Sequence, residues 1–260
     1  MKPQSLQTRA IIFAYLFGPP RFISRDEASR IHGAVCTALG HDDFSFRYST
    51  PGPEPVSQSR GFATLMERAE GRGGFKVTVD NKASQEPVRL LMEYIWPPSV
   101  PHATENLDKT ARAVFSTLGG TWQKVIAEVR LRAHYSADGN DAAKFMRERV
   151  IRLKPTVLDL EAPVAFASVK LETDPAAPKE GDQLFGPKRE LTLEVLREDR
   201  SCLYADIMCM WPQVAAMPVG GQVQIDLRQL RRIGDLPSEY VEHAYDFVNR
   251  IFVGLWDIGR

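Results

Sequence analysis

Histidine, cysteine and clustered arginine are the residue types through which this chain could do chemistry, and their spacing narrows what that chemistry is. The histidines are His32, His41, His102, His134 and His243, side chains suited to proton and metal work near neutral pH. His41, Asp42 and Asp43 are adjacent. Three neighbouring side chains of a regular element do not converge on one ion, and no second His/Asp cluster stands at ligand spacing. They read as the loop leaving a helix. Glu239 and His243 share one helix face, but a zinc site takes about three or four protein ligands and nothing completes this pair. Cys202 and Cys209 lie in one strand at odd spacing, which puts them on opposite faces. Cys36 has no nucleophile pattern around it, so all three read as buried free thiols.

Glycine-rich stretches are equally plain. GRGG at 71–74 lacks the Lys-Ser/Thr of a phosphate loop, and VGGQ at 219–222 is a hairpin turn. No G-x-S-x-G elbow and no H-E-x-x-H occur. The reading is therefore of a chain with no catalytic set, no metal and no cofactor.

Arginine is the remaining candidate. Arg60, Arg68 and Arg72 flank one hairpin, and Arg228, Arg231 and Arg232 follow the last strand. Glu67, Glu70 and Asp235 stand beside them, which marks solvated, ion-paired surfaces. Arg130 and Arg132 project from one strand face together with His134. With Tyr15 and Phe17 as nearby aromatics, these are the binding candidates. Lys plus Arg equals Asp plus Glu at 33 each, which excludes the broad basic excess of proteins that hold duplexes through phosphate contacts.

The elements that position these residues follow from periodicity. Residues 9–17 read as a strand with two apolar faces, Ile11, Phe13, Tyr15 and Phe17 on one and Ile12, Ala14 and Leu16 on the other. Such a strand is expected to be covered on both sides. Ser24 to Leu39 reads as a helix, opened by a Ser24/Glu27 capping box and closed by Gly40. A short strand at 44–48 precedes a proline-rich loop at 51–60. Strands at 61–69, 75–81 and 88–96 come next, then a helix from about Thr104 to Gly119. The plan recurs with a strand at 123–135, a helix at 141–153, strands near 163–172, 190–198, 202–211 and 222–228, and a closing helix from Ser238 to Trp256. The apolar run AIIFAYLF at 10–17 is far short of the about 20 residues of a membrane-spanning helix, and no small-x-small cleavage pattern follows it. A cytoplasmic protein without membrane contact is expected.

Internal similarity organises the whole chain. Shifted by about 115 residues, RAIIFAYLF meets QKVIAEVRL, DEASRIHGAV meets DAAKFMRERV, and LLMEYIWP meets ADIMCMWP, so that Trp96 falls on Trp211 and Pro97 on Pro212. The fold class expected is α+β: two repeated β-α-β(3-4)-α units, 1–120 and 121–260, forming antiparallel sheets with helices on one face. As a plan this resembles the duplicated topology of the TATA-box-binding protein, though no motif of that family is present. Trp96 and Trp211 are expected to pack the returning helix of each half.

The leading functional expectation is a non-catalytic binding or scaffolding protein, its helix-free sheet face meeting a partner protein or a second copy. The first alternative is nucleic-acid binding through the face of Arg130, Arg132 and His134. The second is an enzyme whose site is scattered in sequence. Duplicated α+β folds include metal-free RNA-cutting proteins of CRISPR systems that use a helix histidine, a part His32 would play. The glycine-rich C-terminal loop of those proteins is missing from this chain.

Overall fold

A computed structural model describes residues 7–18, 23–49, 62–81, 88–119, 123–136, 141–151, 167–173, 187–210, 218–219, 222–223 and 237–257. The loop at 51–60, nearly all of the loop from Asp174, Trp211 and the Arg228–Arg232 cluster lie outside these residues. So does most of the strand expected at 222–228, of which a two-residue pairing remains, β10 (Pro218–Val219) with β11 (Gln222–Val223).

The chain is a mixed α+β protein built on a large antiparallel sheet. In chain order the sheet strands are β1 (Gln7–Gly18), β2 (Ser45–Tyr48), β3 (Phe62–Glu70), β4 (Gly73–Asn81), β5 (Val88–Ile95), β6 (Gln123–Ser136), β7 (Ser168–Thr173), β8 (Lys188–Val195) and β9 (Cys202–Met210). They lie side by side as β2-β3-β4-β5-β1-β6-β9-β8-β7, so the two longest strands, β1 and β6, meet at its centre. The helices are α1 (Arg25–Leu39), α2 (Val100–Leu118), α3 (Ala142–Phe145) and α4 (Pro237–Asp257). No helix among the described residues is long and apolar enough to cross a membrane.

Local chemistry explains most boundaries. Ser24 accepts the Glu27 amide while the Glu27 carboxylate accepts the Ser24 amide, and Gly40 at φ 70° turns α1 off in the left-handed region. α2 begins at Val100 rather than Thr104 because Ser99 caps it and Pro101 sits in its first turn, where a missing amide costs nothing. α3 is shorter than its sequence pattern, one turn that runs on as a π-helical turn over Met146–Ile151.

Strand alternation sorts the sheet into a helix side and an open side. On the helix side one row of opposed residues crosses eight strands, Arg68–Phe75–Tyr94–Ile11–Leu131–Ile207–Leu191–Leu171. Its interior members are almost fully buried beneath the helices. Phe115 of α2 meets Tyr15 and Phe17 edge-on, each with ring centres 5.4 Å apart, and Tyr240 of α4 meets Phe13 at 6.3 Å. Asp108 of α2 accepts the Ser238 amide at 2.9 Å, so a carboxylate of one helix caps the start of the other.

Tyr15 and Phe17 are thus core residues, 1% and 0% exposed. Neither can meet a ligand on the open side, which corrects their place among the binding candidates. Ala10, Ile12 and Ala14 on the opposite face of β1 are already buried within the single chain, at 3%, 9% and 0% exposed. They stand between longer cross-strand neighbours such as Arg132, Arg130 and Glu128, whose aliphatic stems shield short side chains. The two-faced burial of β1 therefore does not require a partner.

Candidate functional site

The open side of the sheet is where polar groups converge. Arg130, Arg132 and His134 alternate along β6 and all point there, as the sequence pattern indicates. β9 pairs with β6 so that Asp206 faces Arg132 and Tyr204 faces His134. Arg130 grips Asp206 through both guanidinium arms, at 2.7 and 2.6 Å, and Arg132 Nε adds a third bond at 3.2 Å. Such a fork-shaped, charge-assisted contact is strong and directional. It also commits both arginines to a carboxylate, and holds the Arg130 guanidinium charged.

Beside this triad lies an aromatic cluster. A β-bulge at Arg9 interrupts the β1–β6 register between Thr8 and Ala10. The Arg9 carbonyl accepts the Trp96 amide at 2.6 Å, and its guanidinium lies 4.8 Å from the Trp96 ring centre and 5.9 Å from that of Tyr204. These are cation–π distances. Trp96 meets the His134 ring edge-on at 5.8 Å. Trp96 itself holds φ 51°, an unusual value for a bulky residue and a mark of local strain. Gly73 makes this geometry feasible: a Cβ there would overlap the Ile95 carbonyl oxygen. Trp96 belongs to this cluster and is not among the core residues under α2, which differs from its expected packing role. Ile95, beside it and 37% exposed, is one of two large exposed hydrophobics among the described residues.

His134 is the titratable centre of the cluster. Burial, and then the positive charge of Arg9, pull its pKa below the ordinary histidine value, with Asp199 opposing weakly. Its Nδ1 is buried without a hydrogen-bond partner among the described residues. A neutral imidazole follows.

The other chemical candidates resolve into structural roles. His32 Nε2 lies 2.9 Å from the Phe44 carbonyl oxygen, which can only accept, so Nε2 carries the proton. Cys36 Sγ is 3.6 Å from the same nitrogen, a cysteine–histidine proximity invisible as a motif. That nitrogen has no lone pair to take the thiol proton, and burial pushes the Cys36 thiol up, so the pair is not an activated nucleophile. His243 turns to Arg189, Nη2 to Nε2 at 3.2 Å. Cys209 is buried with its thiol pushed up to about 11, while Cys202 Sγ donates to Asp199 at 3.3 Å. No cluster of metal-ligating side chains occurs among the described residues.

Further charge pairs pave the rest of the open side: Arg89 with Glu128 at 3.3 Å and Lys76 with Glu93 at 3.7 Å. Around one end of the sheet a cleft of about 870 Å³ runs between Trp96, the start of α2 and α4, with Glu105, Asp108 and Glu242 in its wall. Glu105 is paired with Lys109 at 2.7 Å and Asp108 is the cap of α4.

Arg9, Tyr204 and Asp206 are not singled out by the sequence, and Trp96 is singled out there for a packing role. Tyr204 and Asp206 do share a strand parity, but only the β6–β9 register shows that they face His134 and Arg132.

Neither family models nor curated protein sequences match the chain. Among solved structures it aligns with a di-domain ARO/CYC, BexL, from the BE-7585A biosynthetic pathway, at 12% identity over 95% of this chain and 97% of that chain. The TM-score is 0.23, and at that score the likeness carries no argument about fold or activity.

Proposed function

We propose that this is a non-catalytic binding protein, whose helix-free sheet face receives a folded protein partner at the cluster of Ile95, Trp96, Arg9 and Tyr204. The observation that carries the reading is the company these residues keep. Tryptophan, tyrosine and arginine dominate interface energetics, and here they stand together beside an exposed isoleucine on a strand-built, rigid surface. The surrounding charges are paired with one another, which suits a mixed-charge partner better than a polyanion. Arg130 and Arg132 share Asp206, so a phosphate would have to displace a carboxylate already bound in good geometry.

The reading extends to chain architecture: 1–120 and 121–260 as a duplicated unit. β1 and β6 open the two halves and lie adjacent and antiparallel, as a two-fold axis between copies requires. If Arg9 corresponds to Gln123, the pair Ile11–Leu131 implies a mirrored pair Phe17–Val125. Phe17 opposes Lys124, one residue away, an offset of the size that the bulge between Ala14 and Tyr15 introduces.

Affinity capture from the source cells tests the function. Tagged wild type is expected to retain a defined partner that a Trp96→Ala/Tyr204→Ala variant loses, while a change on the helix side, Arg30→Ala, keeps it. Equal retention by all three, with matching melting curves, overturns the reading.

A further inference from the structure

The helix-side row that crosses the sheet ends differently at its two extremities. At the β3 end it stops at Arg68, whose Nε is bound to Asp43 at 2.8 Å. At the other end it stops at Leu171 of β7, which is 52% exposed. β7 is the last strand in the sheet, so its outer backbone groups face no strand among the described residues. An edge strand with no neighbour among the described residues is a template for another strand.

The charges on the open side of β7 select what that strand is. Glu172 stands directly opposite Glu190 of β8, an arrangement that costs stability between like charges. It is tolerated because Lys188 reaches Glu172 at 2.8 Å and Lys170 reaches Glu190 at 3.1 Å. Both Lys170 and Glu172 remain about half exposed, and the 4.0 Å that separates Lys170 Nζ from Glu172 on the same strand is a long pairing that a charge beyond the edge can replace. A two-fold axis normal to a sheet keeps each face on its own side, so only registers centred on one residue are allowed. Centred on Lys170 or on Glu172, the pairing sets like charge on like. Centred on Leu171, it sets Lys170 against Glu172 twice, gives Glu172 a cation on its outer side, and lays Leu171 against its own copy, closing the apolar row.

We infer that β7 is a self-complementary edge, through which two copies of this chain join antiparallel about Leu171 into one continuous sheet. The inference stands apart from the proposed partner site, since Trp96 and Tyr204 lie strands away. The seam opposes five residues of each chain, small beside standard interfaces, so the dimer is weak and concentration-dependent.

Analytical ultracentrifugation from about 1 µM to about 1 mM reads the outcome. Wild type is expected to shift with concentration toward twice the 29.2 kDa of one chain. Lys170→Glu and Glu172→Lys each place like charges across the seam twice and raise the dissociation constant about tenfold or more. Mixed in equal amounts, the two variants restore unlike pairs at both positions and re-form a dimer. Amide exchange on the unmodified protein gives a second reading: protection of residues 168–173 rises with concentration. A wild type that stays monomeric, single variants that dimerise like wild type, or exchange at 168–173 independent of concentration would each overturn the inference.

Discussion

The two faces of the central sheet solve the same problem with different chemistry. On the helix side, strands present Phe13, Tyr15, Tyr94 and their row-mates to helices that exclude water. On the open side, β5 and β6 present Glu93, Glu128 and Arg130, each ion-paired across to another strand, beside short apolar residues of β1. The helix side derives its stability from area removed from water. The open side contributes little through each exposed pair, and what it holds instead is geometry: fixed positions for Arg9, Trp96 and Tyr204. A region rich in contacts but poor in net stabilisation is well suited to recognition, because exchanging one partner for another there costs little.

The largest expected effect breaks the helix side. Phe13→Ala removes a ring packed at 4.8 Å from Tyr15 and near Tyr240; a loss of about 3–5 kcal/mol in chemical denaturation is expected. A smaller effect comes from the shortest ion pair of the open side among the described residues. Asp206→Ala leaves Arg130 and Arg132 as neighbouring unpaired cations and should cost about 1–2 kcal/mol. The same variant should acquire binding of inorganic phosphate, measurable by titration calorimetry and absent in wild type. If it gains no phosphate binding, the two guanidinium groups are not shaped for an anion at all.

Smaller again is the acid response of His134. Its pKa is held below the unfolded value of 6.5, by burial first and Arg9 second. Above that value both folded and unfolded chains are neutral at this group. As pH falls below it the unfolded chain takes up a proton that the folded one resists, so stability declines on the acid side. His243, depressed by burial and by Arg189, adds to the same decline. Melting curves from about pH 8 to about pH 5.5 should therefore show His134→Gln losing less stability than wild type. A parallel response would mean the cluster does not oppose the charge. The smallest effect should be Lys76→Ala. It deletes an exposed pair and is expected to change stability by less than about 0.5 kcal/mol.

Much of this division is legible in the amino-acid sequence. Alternation along β6 put Arg130, Arg132 and His134 on one face because side-chain direction in a strand is fixed by parity. The Ser24–Glu27 box was readable because it is completed within four residues. What stayed hidden needed register. Asp206 binds Arg130 across 76 positions of sequence, and nothing local to either residue announces the other. Tyr15 and Phe17 were misplaced for a related reason: a strand apolar on both faces does not say which face the helices take. α2 begins at Val100, four residues before the expected Thr104, because Ser99 caps a first turn that contains Pro101 and lies ahead of the apolar stripe.

The glycines of the β3–β4 hairpin set how freely this surface can vary. Gly71, at φ 56° with open space around it, can be replaced by asparagine or aspartate at modest cost. Arg72, at the exposed tip, has no such restriction. Gly73 lies against the backbone that turns Trp96 onto the open side, and a Cβ at Gly74 would stand 2.6 Å from the Arg68 carbonyl oxygen. In a saturation library of this turn, sequence diversity should therefore vanish at 73 and 74 while flourishing at 72. The tolerance of four consecutive letters thereby records how closely the hairpin is pressed against the backbone of Ile95 and Trp96.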